Sequence, residues 1–217
     1  MIVGLIPAHN ESDGIAASIA SAAAQVDHVI VISDNSTDNT VALAEQAGAT
    51  VIERVSNRDK KAGALNQALN AMLDLGDSPF ELPVLADDDF VLVMDADSRI
   101  DEGFVDRAIE EFDLTPDAGA VGGVFLGDPG GGLVAQLQRN EYIRYAREVA
   151  RRKARAWVLT GTASVLRVDV LRMVADARQR GDLPGEYGVY DTLALTEDNE
   201  LTLAIKTLGY RTMSPKE

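Results

Sequence analysis

Short apolar runs, each halted by a polar loop that gives way to a stretch of helical period, lay out most of this chain. Residues 2–6, 29–32, 50–54, 90–94 and 120–126 read as strands. The run Phe90-Val91-Leu92-Val93-Met94 is unbroken, as expected of a strand buried on both faces of a mostly parallel sheet. Pro7 is expected to end the first strand, and Ser12 or Asp13 to cap a helix whose apolar side is Ile15, Ile19 and Ala22 or Ala23. Further helices are expected through Val41, Leu43 and Ala44 to Gly48 with Asp38 as cap, and through Ala64, Leu65, Ala68, Leu69 and Met72. Others are expected over 104–112, from 133 to about 153, and from Thr196 through Leu201, Leu203, Ala204 and Leu208 to Gly209. Between them, 75–89 is a polar excursion whose Asp87-Asp88-Asp89 reads as a solvated loop tip, and 128–132 is a turn-rich break. Strand, loop and helix in alternation give one α/β domain, with a Rossmann-like, mostly parallel sheet flanked by helices.

Composition narrows the partners. The 217 residues suffice for one substantial core. With 35 acids against 20 bases the formal net charge is −15, which argues against nucleic acid or an anionic membrane surface as the main partner while leaving room for a local basic patch. The absence of cysteine excludes disulfides and thiolate metal sites and permits a reducing compartment. The apolar runs are strand-sized, and no basic-then-apolar leader opens the chain, so a soluble, cytoplasmic protein is expected. Arginines concentrate at 139–155 on the long helix, which admits contact with the cytoplasmic membrane face; interleaved Glu141 and Glu148 fit a solvated, ion-paired face as well.

The chemistry gathers where strands end. Asp95 and Asp97, with small Ala96 between, turn two carboxylates toward one point beyond the strand at 90–94, where open α/β sheets bind ligands. Such a pair suits a Mg²⁺- or Mn²⁺-like ion whose other positions go to phosphates and water. His9 is a weaker metal candidate. The loop 33–40 carries Asp34, Ser36, Asp38 and Glu45 at EF-hand-like intervals, yet Asn39 replaces the turn glycine and a strand precedes it, so a ligand-binding β-to-α loop is the better reading, with Asp34 on a base or ribose. Basic residues at 58–61 lead a helix start suited to a diphosphate. Small residues at 160–164 permit close approach to a ligand, and Glu197 and Asp198 open the last helix, where an acid is favoured by the dipole and can also act as a base.

In order, Pro7-Ala8-His9-Asn10-Glu11, Ser33 to Asp38, Lys61-Ala62-Gly63-Ala64-Leu65-Asn66, Asp95-Ala96-Asp97, Thr160-Gly161-Thr162-Ala163 and Thr196-Glu197-Asp198 resemble the motifs of family 2 inverting glycosyltransferases. The branch it resembles makes cellulose, hyaluronan and poly-N-acetylglucosamine. That resemblance implies a GT-A fold with a nucleotide-binding half at 1–97 and an acceptor and catalytic half at 98–217. It implies a nucleotide-sugar donor, UDP-linked by preference, a carbohydrate or other hydroxyl acceptor, and a divalent cation on Asp95 and Asp97. Pro7, Ala8, Asn10 and Glu11 would hold the nucleoside, Asp34 the uracil, and Lys61 and Asn66 would lie near the nucleotide. Gly161 and Thr162 would line the acceptor or the donor-sugar pocket, and Asp198 beside Glu197 would be the general base. Ser33 departs from the family's further acid, and the Gln-x-x-Arg-Trp motif of the synthases does not occur by Glu217. A nucleotidyltransferase and a sugar-nucleotide-binding module without turnover are the alternatives; a glycosidase explains none of the nucleotide loops.

Overall fold

The computed structural model describes residues 1–54, 60–76, 78–124, 126–127, 130, 132–152 and 154–214. Arg58, Asp59, Phe125, Lys153 and most of the 128–132 break therefore lie outside the described residues. Strands β1 (Ile2–Ala8), β2 (His28–Ser33), β3 (Thr50–Glu53), β4 (Phe90–Met94), β5 (Ala118–Gly122), β6 (Ala163–Arg167) and β7 (Arg211–Met213) form one sheet in the order β3-β2-β1-β4-β6-β5-β7. All pairings are parallel except those of β6, which runs antiparallel to both β4 and β5.

Helices α1 (Ile15–Ala23), α2 (Thr40–Gln46), α3 (Lys60–Met72), α4 (Phe104–Leu114), α5 (Leu133–Arg151), α6 (Val168–Gln179) and α7 (Glu197–Thr207) complete the domain. The two faces of the sheet seed two apolar layers, because successive strand residues point to opposite sides. Val3, Leu5, Ile30, Val91 and Val93 pack with Leu65, Leu69, Leu171 and Ile205 under α3, α6 and α7. Ile6, Val29, Val31, Leu92 and Met94 pack with Ile15, Ile19, Val105 and Phe112 under α1 and α4. Leu69 is fully buried, so Leu69→Ala should destabilise the domain by ~2–5 kcal/mol, read as a lower urea midpoint at unchanged slope.

Several local expectations are corrected. Pro7 does not end β1, which continues to Ala8. The carbonyls of Ile2 and Ala8 accept from Asp27 and Asp34 on the β2 side, so Pro7 faces the β4 side, where pairing stops at Leu5↔Val93 and no donor is needed. Neither Ser12 nor Asp13 caps α1; Gly14 holds that position without a side-chain bond, and Glu11 O takes the amides of Gly14 and Ile15. Asn39, not Asp38, holds the cap position of α2; Asp38 stands one residue further back, accepting the Thr40 amide and hydroxyl and the Ser12 amide. Asp89 is not part of a solvated tip: it is buried, bonded by the Ala86 amide and the Met1 ammonium. The strand expected over 120–126 is β5, which starts two residues earlier and already ends at Gly122. Strand β6, helix α6 and strand β7 add to the elements read from the sequence.

Candidate active site

The site is built where the carboxyl ends of β1, β2 and β4 meet. A cleft of about 570 Å³ opens there, lined by Pro7, Ala8, His9, Glu11, Asp34, Asn35, Lys60, Lys61, Ala64, Asp95, Ala96 and Asp97. Its first two loops are stitched together. The Asn10 side-chain oxygen accepts from the Thr37 amide at 2.8 Å, Ser36 Oγ accepts from the Asn10 amide, and Thr40 Oγ1 accepts from the Glu11 amide at 2.8 Å. Asn10 and Asn35 hold left-handed backbone (φ +56° and +55°), a conformation asparagine tolerates better than most residues. Asn10 thus shapes the cleft from behind, while Pro7, Ala8 and Glu11 face it.

On the β2 side, the Asp34 carboxylate meets Arg54 Nη1 at 3.0 Å, and that guanidinium is almost wholly buried. Arg54 was invisible as a site residue in the sequence, where it reads as a strand end; its burial at the strand's carboxyl edge is what reveals it. His9 packs Nδ1 against the Asp34 carbonyl at 2.6 Å, which commits one ring nitrogen to the loop. Gly14 underlies the acidic turn: a Cβ there would touch the Ala96 carbonyl and Asp97 Cα at 3.4 Å.

At the centre, Lys61 Nζ donates to Asp95 Oδ1 at 2.7 Å and lies 3.2 Å from Glu197 Oε1 and 3.9 Å from Asp198 Oδ2. The start of α3 and the start of α7 therefore meet over the end of β4. The antiparallel β4–β6 pair makes this possible, because it returns the chain to Asp95, whose amide donates to Thr162 O at 3.1 Å. Gly161 sits against the same charges, since a Cβ on it would stand 2.3 Å from Asp198 Oδ2 and 2.9 Å from Lys61 Nζ. Asn66 is turned away from the cleft: its amide donates to Tyr190 O and its oxygen accepts from Tyr190 N, both at 2.8 Å. This clasp fixes the segment that leads into α7, and the buried Arg178, 2.5 Å from Glu200, braces the same helix.

Electrostatics follow the packing. Burial, then Glu197 and Asp95, push the Asp198 carboxyl up to about 6 against the pull of Lys61. Burial works to lower the Lys61 ammonium, but Asp198, Asp95 and Glu197 outweigh it and carry it up to about 12. Burial also raises Asp95, opposed by Lys61, and raises Glu11 together with Asp97 and Asp95. The buried Tyr190 phenol is pushed well above its ordinary value, by burial and then by Asp198.

The acidic pair fits a hard divalent cation of the Mg²⁺ or Mn²⁺ type. Asp97 is exposed on the cleft and accepts from the Ser98 hydroxyl at 3.3 Å, whereas Asp95 has one oxygen held by Lys61. Among the described residues no group of three or more acids or histidines could hold a metal. An ion here would thus draw most of its ligands from phosphates and water, the habit of Mg²⁺ in nucleotide sites.

A parallel-sheet crevice with this acidic turn is the arrangement of a GT-A glycosyltransferase, and solved structures of that class superpose on the whole chain. Mannosyltransferase PcManGT from Pyrobaculum calidifontis, solved with GDP-Man and Mn²⁺, gives a TM-score of 0.67 at 20% identity, covering 100% of this chain and 55% of that one. Glucosyl-3-phosphoglycerate synthase from Mycobacterium tuberculosis, solved with Mg²⁺ and UDP, gives 0.59 at 22%, covering 99% and 68%. The family model "Glycosyltransferase like family 2" matches residues 2–217, and the chain belongs to that family. Poly-beta-1,6-N-acetyl-D-glucosamine synthase of Staphylococcus aureus (strain MSSA476) is 26% identical over 97% of this chain and 47% of its own length. The same synthase from strain COL gives the same identity and coverage. The chain thus spans about half the length of the curated relatives it matches.

Proposed function

We propose that this domain transfers a glycosyl group from a nucleotide-sugar, a UDP-sugar by preference, to a hydroxyl of a glycan or similar acceptor, with inversion at the anomeric carbon. The observation that carries the reading is the convergence of Asp95 and Asp97 after β4, Lys61 on α3 and Asp198 on α7, three separate elements, on one end of the sheet. The nucleoside lies over Pro7, Ala8 and Glu11, with the Asp34 carboxylate, fixed by Arg54, accepting from the base. Asp198 takes the proton as the acceptor oxygen bonds to the anomeric carbon, while the bond from that carbon to the diphosphate oxygen breaks with its electron pair leaving on the diphosphate. Asp198 suits this task because its burial gives it a basicity near that of a neutral solution. Lys61 neutralises charge on the leaving diphosphate and Glu197 holds Lys61 in place. A divalent cation held by Asp97 and the open oxygen of Asp95 would supply Lewis-acid neutralisation of the same group.

Calorimetric titration of UDP, then GDP, with and without Mn²⁺ tests the donor site. Mn²⁺-dependent UDP binding that Asp97→Ala weakens by about tenfold or more, the equivalent of ~1.4 kcal/mol, is the expected result. No nucleotide binding under any metal condition would overturn the assignment.

A further inference from the structure

Helix α5 stands apart from the catalytic cleft and is poorly used by the fold. Of its described side chains only Val149 is fully buried. Its outward stripe has a composition of its own. Leu133 (73% exposed), Leu137 (57% exposed), Arg144, Arg147 and Arg151 follow one another at intervals of four, seven, three and four residues, which places all five on one helical face. The amino-terminal third of that face is apolar and the rest is cationic, in a chain whose formal net charge is −15. Among the described residues no ion pair engages Arg147 or Arg151. Arg144 meets Glu141 at 2.8 Å, an exposed pair that water screens and that leaves guanidinium donors over.

A second feature continues this face past the end of α5. Trp157 is 57% exposed, with the Arg152 guanidinium 4.1 Å from its ring centroid and the Lys206 ammonium 5.9 Å from it. Arg152 is itself paired with Glu148 at 3.3 Å, so an ion pair and a second cation share one exposed indole. An indole flanked by cations is also the composition that settles at the headgroup level of a bilayer.

We propose that α5 and the Trp157 platform dock this domain on an anionic membrane surface. Leu133 and Leu137 enter the acyl boundary, while Arg144, Arg147 and Arg151 meet lipid phosphates and Trp157 lies among the headgroups. Anionic lipid is the occupant that the face itself selects. A protein partner of matching chemistry would need an acidic groove beside an apolar one, whereas an anionic bilayer presents both along its whole surface. The site is independent of the donor cleft, so its success or failure leaves the proposed transfer reaction untouched.

The test is vesicle co-sedimentation of the whole chain at low and at physiological salt, with phosphatidylcholine vesicles alone or with about one third phosphatidylglycerol. Binding to the anionic vesicles at least about tenfold tighter than to the neutral ones, and weakened by salt, is expected. The chain's single tryptophan reports docking directly, by a blue shift of its emission and quenching by brominated lipid. The triple substitution Arg144→Glu, Arg147→Glu, Arg151→Glu should remove the partition and the shift, and Leu133→Asp with Leu137→Asp should remove the shift. Circular dichroism and UDP titration should match the parent for both, since none of these residues lies at the cleft. Equal binding to neutral and anionic vesicles, no partition at all, or full partition by the arginine variant would each overturn the proposal.

Discussion

Replacement of Asp198 by Asn should cut turnover by about 10²–10⁴-fold while nucleotide binding stays within a factor of about two, because the amide keeps the shape of the carboxylate but cannot accept the proton. The parent's rate at low substrate should fall as pH drops through about 6, where the buried Asp198 carboxyl takes up a proton and ceases to be a base. Stability should run the other way. A carboxyl raised on folding is penalised for being charged, so the parent loses stability as pH rises between about 4 and 6 and carries the full penalty above that. Asp198→Asn should therefore melt at a higher temperature than the parent at pH 7.5 and lose that advantage below about pH 4. Unchanged turnover would remove Asp198 from the chemistry, and a fall in melting temperature at pH 7.5 would show that its pairing with Lys61 outweighs its burial.

Gly161→Ala should have the second-largest effect. The added methyl carbon would come within 2.3 Å of Asp198 Oδ2 and 2.9 Å of Lys61 Nζ, distances that force both charged ends to move. Side-chain tips can yield at small cost to folding, so the variant should stay within about 1 kcal/mol of the parent in stability. The cost falls on geometry, where displacement of a reacting group by about 1 Å is worth about 10²-fold in rate. A large loss of kcat with normal circular dichroism and normal urea midpoint is the expected pattern. Full activity in Gly161→Ala would mean that Asp198 works from a different position than the one it occupies beside Lys61.

The cleft at the ends of β1, β2 and β4 was legible in the sequence because its signals are local. A continuous apolar run such as 90–94 that stops on two acids carries its own strand, its end and its chemistry within eight residues. Pairings between distant segments left weaker traces. Nothing near Asn66 indicates that both ends of its amide are spent on the backbone of Tyr190, 124 residues away. Arg54 reads as an ordinary polar strand terminus until the sheet places it under Asp34. Strand β6 is five residues long, Ala163 to Arg167, with Ser164 and Arg167 breaking its apolar pattern, so its reversed direction follows from the sheet and from no local signal. Helix α6 is different: Val168, Leu171, Val174, Ala175 and Arg178 do recur at helical spacing, but a buried arginine disguises the apolar face.

The Asn66 clasp has a mechanical consequence. It ties the helix that carries Lys61 to the segment that feeds Glu197 and Asp198, and the hydrogen bond from Asp95 N to Thr162 O ties the end of β4 to the turn that carries Gly161. Lys61 and Asp198, the leaving-group cation and the base of the proposed reaction, are thus bolted into a single frame. Substrate loading must then be accommodated by the rims of the cleft, with its floor serving as a fixed gauge against which two very different molecules are aligned.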